Sequence, residues 1–345
     1  MAAANQIMGM ERFMDNNNDE IIKTAANSGA NRERSERTNN PPDSPKKNVF
    51  WDKISVTLLK LLIKFAEKLN FESLSKISFI GDLFYYALPL RKKLLAENLT
   101  KCGFGQSEEE LKKMIKGIYT CQVLNFAEFL WMSNASKTSQ IHKHFRIHGL
   151  NHIKEIIEKK SGGVIVSSHL GNWEMLAMIL GKLGIKLSIL TVEKDIELHK
   201  FIKLHRSQTG NTPIDRNHSA LKCMRLIKKR EIAGIMSDQH TDNAGVLTKF
   251  FGLDCKTTAL PASLSLKTGC PIYAIFMVRS NDFKSHDIYI EPPIYAKDYV
   301  IGEGTREDKN ETAIKLCMQK INDTVEKYIK MAPEQWFWFH KRWRP

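Results

Sequence analysis

The sequence predicts an α/β fold: a mainly parallel sheet flanked by helices. Three observations carry that prediction. Short apolar runs without helical spacing recur near 164–167, 186–192, 232–237 and 271–278. Segments with helical periodicity alternate with them near 173–183, 196–208, 219–229 and 259–267, and Gly210 and Gly269 stand where helix C-caps are expected. Alternation of this kind builds a parallel sheet covered on its faces. With 42% hydrophobic residues among 345, the chain can bury such a core.

Taken in order, residues 1–48 are rich in Asn, Asp, Arg, Ser and Pro and end in "NNPPDSPKKN". They read as a disordered extension, because they hold too little apolar surface to offset the entropy of ordering. Residues 49–95 form the next region. In it Leu58, Leu59, Leu61, Leu62 and Phe65 make a broad apolar stripe interrupted by Lys60, Lys64, Glu67 and Lys68. A spanning helix needs about 20 mostly apolar residues, so this profile fits a helix lying in a membrane interface. It equally fits an amphipathic helix packed on the protein's own core. Residues 96–345 form the α/β domain. Ser107 and Glu110 make a capping box, and Leu111, Met114, Ile115, Ile118 and Tyr119 then recur on one helical face running towards Trp131. A further strand, "HDIYIEPP", and a last helix from about 310 to 330 complete the pattern.

Charge and cysteine usage bound the function. A formal net charge of +14 calls for an acidic partner: nucleic acid, an anionic membrane or an acidic carrier protein. Six cysteines without a C-x-x-C pair argue against a zinc site or a disulfide scaffold. The N-terminus shows no cleavable signal peptide.

The chemistry centres on "SSHLGNWEML", residues 167–176. His169 sits where a strand hands over to a helix, at the carboxyl edge where such sheets bind ligands. Glu193 and Lys194 follow the next strand, and "SDQHTD", 237–242, follows the one after. Five residues apart on a regular helix, His169 and Glu174 would be rotated by about 140°. With His169 in a turn made possible by Gly171, and Glu174 in the first helical turn, the two can meet. A carboxylate on one imidazole nitrogen fixes the tautomer and stabilises the imidazolium, which suits deprotonation of a hydroxyl. As a bare pattern H-x4-E also describes a structural histidine. Ser167 and Ser168 lack the G-x-S-x-G elbow of a hydrolase nucleophile, and no H-E-x-x-H is present. His142, His144 and His148 alternate with apolar residues and read as the solvated face of a strand rather than metal ligands. The tail "PEQWFWFHKRWRP" mixes Trp336, Trp338 and Trp343 with basic residues, which suits a lipid headgroup interface or single-stranded nucleic acid.

Four stretches in series, "SSHLGNWEML", "SDQHTDNAGVLTKFFG", "TTALPASLSLKTGCPI" and "PEQWFWFHKRW", resemble the bacterial lipid A biosynthesis acyltransferases, the late lauroyl/myristoyl transferases. The resemblance covers roughly residues 50–345. It implies a glycerol-phosphate-acyltransferase-like fold and transfer of a fatty acyl group from acyl carrier protein to a hydroxyl of a lipid A precursor. The setting it implies is the cytoplasmic face of the bacterial inner membrane, with no cofactor and no metal. By position, it implies His169 as general base with Glu174 as its partner. Asp238, Gln239, Arg216, Lys194 and Asn172 are then expected to bind substrate. Lys194 lies in "TVEKD", where family members often carry an arginine. Phe250 and Phe251 are expected to shape an acyl pocket, though a core-facing loop accounts for them equally. The anionic partners implied, carrier protein, acceptor and membrane, match the net charge without nucleic acid. Two other readings remain: an acyltransferase for a phospholipid or other glycolipid, and a non-catalytic basic protein binding membrane or nucleic acid. Because residues 1–48 read as disordered, their removal should leave both the unfolding temperature and the activity of the chain unchanged.

Overall fold

The computed structural model describes residues 57, 61–66, 68–87, 91–132, 141–159, 161–191, 207, 209–215, 218–241 and 245–344. The expected disordered extension, Leu58 and Leu59 of the first apolar stripe, Glu193, Lys194, Arg216 and most of the 196–208 helix lie outside these residues.

Seven strands form one sheet in the order β1-β9-β8-β2-β5-β3-β4. They are β1 (Phe145–His148), β2 (Gly163–Ser167), β3 (Leu187–Thr191), β4 (Thr212–Asp215), β5 (Ile232–Met236), β8 (Ile272–Arg279) and β9 (His286–Ile290). Every pairing is parallel except β8 with β9. The sheet is therefore mainly parallel, as expected, and it centres on β2. A separate antiparallel hairpin, β6 (Gly245–Phe250) and β7 (Leu253–Thr258), lies outside it. Its two-residue turn places Phe251 at φ 53° and Gly252 at φ 74°, the left-handed pair that matches strand twist.

Both sheet faces are covered, so the central strands are buried throughout. Val164, Val166, Ala274 and Phe276 face one core with α6 (Ser219–Lys228), α7 (Leu260–Thr268) and α8 (Arg306–Met331). Ile165, Tyr273, Ile275 and Met277 face the other, with α4 (Leu150–Lys159) and α5 (Trp173–Lys182). The long helix α3 (Glu108–Trp131) serves both cores. Met114 and Ile118 pack in the first, while Phe129, Leu130 and Trp131 pack in the second. Its start is capped by Ser107 as expected, although the Glu110 carboxylate reaches back to the amide of Gln106 rather than of Ser107.

The N-terminal region divides its faces. Ala66, Phe71 and Leu74 are buried in the second core, and Leu95 and Leu99 of α2 (Lys92–Lys101) in the first. On α1 (Phe79–Ala87), by contrast, Phe79, Leu83 and Tyr86 are 62–67% exposed at i, i+4 and i+7. Among the described residues no helix is long and apolar enough to cross a membrane.

The histidine-rich stretch differs from the strand expected. Residues Ile141–His144 form a helical turn before β1. His144 packs over the ring of Phe71, and His148 Nε2 lies 2.7 Å from Asp287. Arg146 grips the same carboxylate with two hydrogen bonds and so holds Asp287 down at about 2.

One buried ion pair ties α3 to the end of β8. Arg279 donates to Glu128 at 2.9 and 2.7 Å and to the Asn125 side chain at 2.6 Å, with both charged groups essentially inaccessible. Burial alone would raise the pKa of Glu128, but Arg279 and the adjacent His286 outweigh it and hold the carboxyl below the usual range. Glu128→Gln should therefore strand a buried cation and cost about 3–5 kcal/mol in denaturant unfolding, and replacing Glu128 and Arg279 together by apolar residues should recover most of it. Because the folded pKa lies below the ~4.3 of an unfolded glutamate, the stabilisation is complete above that value. The gap between wild type and Glu128→Gln should shrink as pH falls below about 4.

Candidate active site

Strands β2 and β5 are neighbours in parallel register, with Ser167 opposite Met236, so the residues that follow them emerge side by side. Ser237 N–H bonds Ser167 O at 3.2 Å across this edge. The next residues, His169 and Asp238, meet. His169 Nδ1 lies 2.8 Å from Asp238 Oδ1, and the His169 backbone amide donates to Asp238 Oδ2 at 2.8 Å. The Trp336 indole N–H donates to that same Oδ2 at 2.8 Å. The Asp238 side chain is fully buried, while the His169 ring stays 13% exposed. Burial pushes the Asp238 pKa up, but the charge and hydrogen bonds of His169 outweigh it and keep the carboxyl below its usual range. As an anion, Asp238 can only accept, so this contact assigns the hydrogen to Nδ1 and leaves the Nε2 lone pair free of it.

This geometry corrects two expectations. The carboxylate on Nδ1 is Asp238, not Glu174, and Asp238 is too enclosed to hold substrate. Glu174 lies half-buried in the first turn of α5. A third correction concerns Asn172. Its Oδ1 caps α5 by accepting from Met175 N–H, and its Nδ2 donates to Asn125 O at 3.0 Å and Glu128 Oε2 at 2.9 Å. Every polar atom of that side chain is engaged within the protein, so Asn172 shapes the turn instead of binding substrate.

The turn itself is over-determined. Gly171 has φ +59°, and an added Cβ would run into the Met277 carbonyl oxygen. Its own carbonyl accepts from Asn125 Nδ2 at 2.8 Å. On the other side the C-terminal segment pairs with it: Gly171 N–H bonds Gln335 O at 3.0 Å, and Phe337 N–H bonds His169 O at 2.9 Å. Trp173 and Phe337 flank the His169 ring, with centroids at 5.1 and 6.3 Å.

The aromatic-basic tail is core rather than headgroup interface. Trp336 and Trp338 are fully buried, and each indole N–H has an acceptor, Asp238 and Pro333 O respectively. Arg342 is buried as well, bonded to Lys256 O and Thr257 Oγ1 at 2.6 Å each. His340 donates from Nδ1 to Phe337 O, and burial pushes its pKa down to about 4. Sequence reasoning missed this set, although a signal was present. Trp336, Trp338, His340 and Arg342 occupy alternate positions and all four are buried, in a stretch that bends through a turn at 338–340 and buries Phe339 as well.

Of the remaining expected residues, Gln239 is partly buried with an amide nitrogen that bonds no group among the described residues. Phe250 is fully buried against Trp336 and Trp343, and Phe251 sits at the hairpin turn against Phe104 and Trp338. Phe250 is thus a core residue here, its ring closed off from any open pocket. Among the described residues, no group of three His, Cys, Asp or Glu side chains is placed to hold a metal.

Residues 46–345 match the family described as bacterial lipid A biosynthesis acyltransferase. The chain belongs to that family. It is 24% identical over 267 residues to the lipid A biosynthesis palmitoleoyltransferase of Escherichia coli K12, covering 77% of this chain and 82% of that protein. A lipid A biosynthesis acyltransferase of Shigella flexneri matches to the same extent. The E. coli K12 lipid A biosynthesis lauroyltransferase is 23% identical over 272 residues, or 77% of this chain and 83% of that one.

Gly171→Ala should lower the unfolding free energy by at least about 1–2 kcal/mol from the left-handed backbone alone, with the Met277 clash added, and should reduce activity with it. Denaturant unfolding and acyl-transfer assays on the same preparation check both.

Proposed function

We propose that this acyltransferase moves a fatty acyl chain from the thioester of acyl carrier protein to a hydroxyl of a lipid A precursor, with His169 as general base. The observation that carries the reading is the His169–Asp238 pair at the carboxyl edge of the sheet, with Nδ1 anchored by a buried anion and Nε2 left for a proton. The acceptor hydroxyl gives its proton to Nε2, and its oxygen attacks the thioester carbonyl. The tetrahedral intermediate then expels the carrier thiolate, which recovers the proton from the imidazolium. An ester and a free thiol result. Asp238 stabilises the imidazolium without leaving the carboxylate form. Gln239, beside Asp238 with its amide nitrogen unpartnered, is assigned to substrate or the developing oxyanion. Lys194 and Arg216 are assigned to acceptor anions.

The setting we propose is the cytoplasmic face of the inner membrane. The exposed stripe of Phe79, Leu83 and Tyr86, with Lys116 over the Tyr86 ring at 4.7 Å and Lys92 over Tyr85 at 4.1 Å, fits an aromatic and cationic surface resting among anionic headgroups. A phospholipid acceptor would use the same chemistry.

Two outcomes are expected of purified enzyme in detergent. His169→Ala should lose about 10²- to 10⁴-fold in acyl transfer while staying folded. Asp238→Asn should cost far more than Glu174→Gln, since only Asp238 holds Nδ1; equal losses would return the orienting role to Glu174. Mass spectrometry of lipid A from a strain lacking the protein should show one secondary acyl chain missing. Unchanged lipid A with altered phospholipids would move the acceptor to the other class.

A further inference from the structure

We propose that Trp336 is a positioning residue for the reaction: its indole N–H fixes the Asp238 carboxylate in the plane that serves His169. The inference rests on His169 being the general base. Asp238 Oδ1 faces the imidazole, while Oδ2 takes two donors, the His169 amide and Trp336 Nε1, at 2.8 Å each. Among the described residues, without the indole His169 alone would donate to the carboxylate that orients it. Trp336 supplies a reference from outside that loop.

Trp336 is in turn fixed from several sides. Its neighbours Gln335 and Phe337 pair their backbones with Gly171 and His169, so Leu170 and Trp336 sit opposite each other as in an antiparallel bridge. The Gln335 side chain locks onto the Arg279 backbone at the end of β8, donating to its carbonyl at 2.8 Å and accepting from its amide at 2.7 Å. The ring of Trp336 packs against Phe250 and edge-on to Trp338. The fully buried Trp336 reaches no substrate. Neighbouring indoles behave differently, because Trp338 and Trp343 donate to the backbone carbonyls of Pro333 and Phe250. This contrast separates positioning from packing. Trp338→Phe removes the same ring area and N–H two residues away, without touching Asp238.

The test compares W336F, W338F and H169A in the full chain in detergent micelles, each confirmed folded by thermal unfolding, with acyl carrier protein thioester as donor. A hydrogen bond to a buried anion is the kind of contact whose loss lowers a rate by about 10- to 100-fold. W336F should lower kcat by that factor with KM for donor and acceptor within about twofold of wild type, and W338F should keep kcat within about threefold. Should W336F fail to fold, benzothienylalanine at position 336, which keeps the bicyclic shape and lacks the N–H, replaces it with the same expected loss. If H169A is inactive and W336F matches W338F, or W336F acts mainly on KM, the positioning role is overturned and the base assignment survives. If H169A stays active, the general-base reading itself fails.

Discussion

A negative charge with no access to water organises this protein. Asp238 is held as an anion at the carboxyl edge of the sheet, and such a charge persists only where donors surround it. His169 supplies a ring nitrogen and a backbone amide, and Trp336 supplies an indole N–H. Meeting that requirement forces distant parts of the chain together. β2 and β5 must be adjacent, the turn after β2 must fold back through Gly171, and the chain must return after α8 to deliver Trp336. In the proposed mechanism the consequence is a histidine with Nδ1 committed to Asp238 and Nε2 left to take the acceptor's proton.

A second buried charge lies behind the turn. The Glu128–Arg279 pair joins α3 to β8, and through Asn172 it also reaches the start of α5. The same Arg279 backbone holds Gln335, so one rigid cluster references both the turn carrying His169 and the segment carrying Trp336. The turn is thus clamped from two sides by groups without exposure to solvent. Such preorganisation lets a base act without rearrangement during the reaction.

Much of this was legible in the sequence, and the failures have physical causes. The parallel strands β2, β3, β5 and β8 announced themselves as apolar runs because both faces of the sheet are covered. β4, "TPID", did not, because a four-residue edge strand with a proline carries little pattern. The β6–β7 hairpin was missed because its turn is Phe251-Gly252 rather than a pair that favours left-handed backbone at both positions. His169 was found from its place at a strand end, and Asp238 was placed at the same edge. Their pairing was not readable, since the register of β2 against β5 is a property of the folded sheet. Glu174 took the role by default because local spacing is all a sequence displays. The tail misled through composition: its basic and aromatic residues read as a surface, whereas Trp336, Trp338, His340 and Arg342 are buried, each with a hydrogen-bond acceptor inside the protein.

The central claim is that Asp238 holds the Nδ1–H of His169 and leaves Nε2 as the base. Nitrogen-15 spectra of histidine-labelled protein, with His169 identified by its absence in His169→Ala, test that claim most directly. The account predicts that neutral His169 carries its proton on Nδ1 and that Nε2 shows the shift of an unprotonated ring nitrogen. A proton resting on Nε2, with Nδ1 bare towards Asp238, would contradict it.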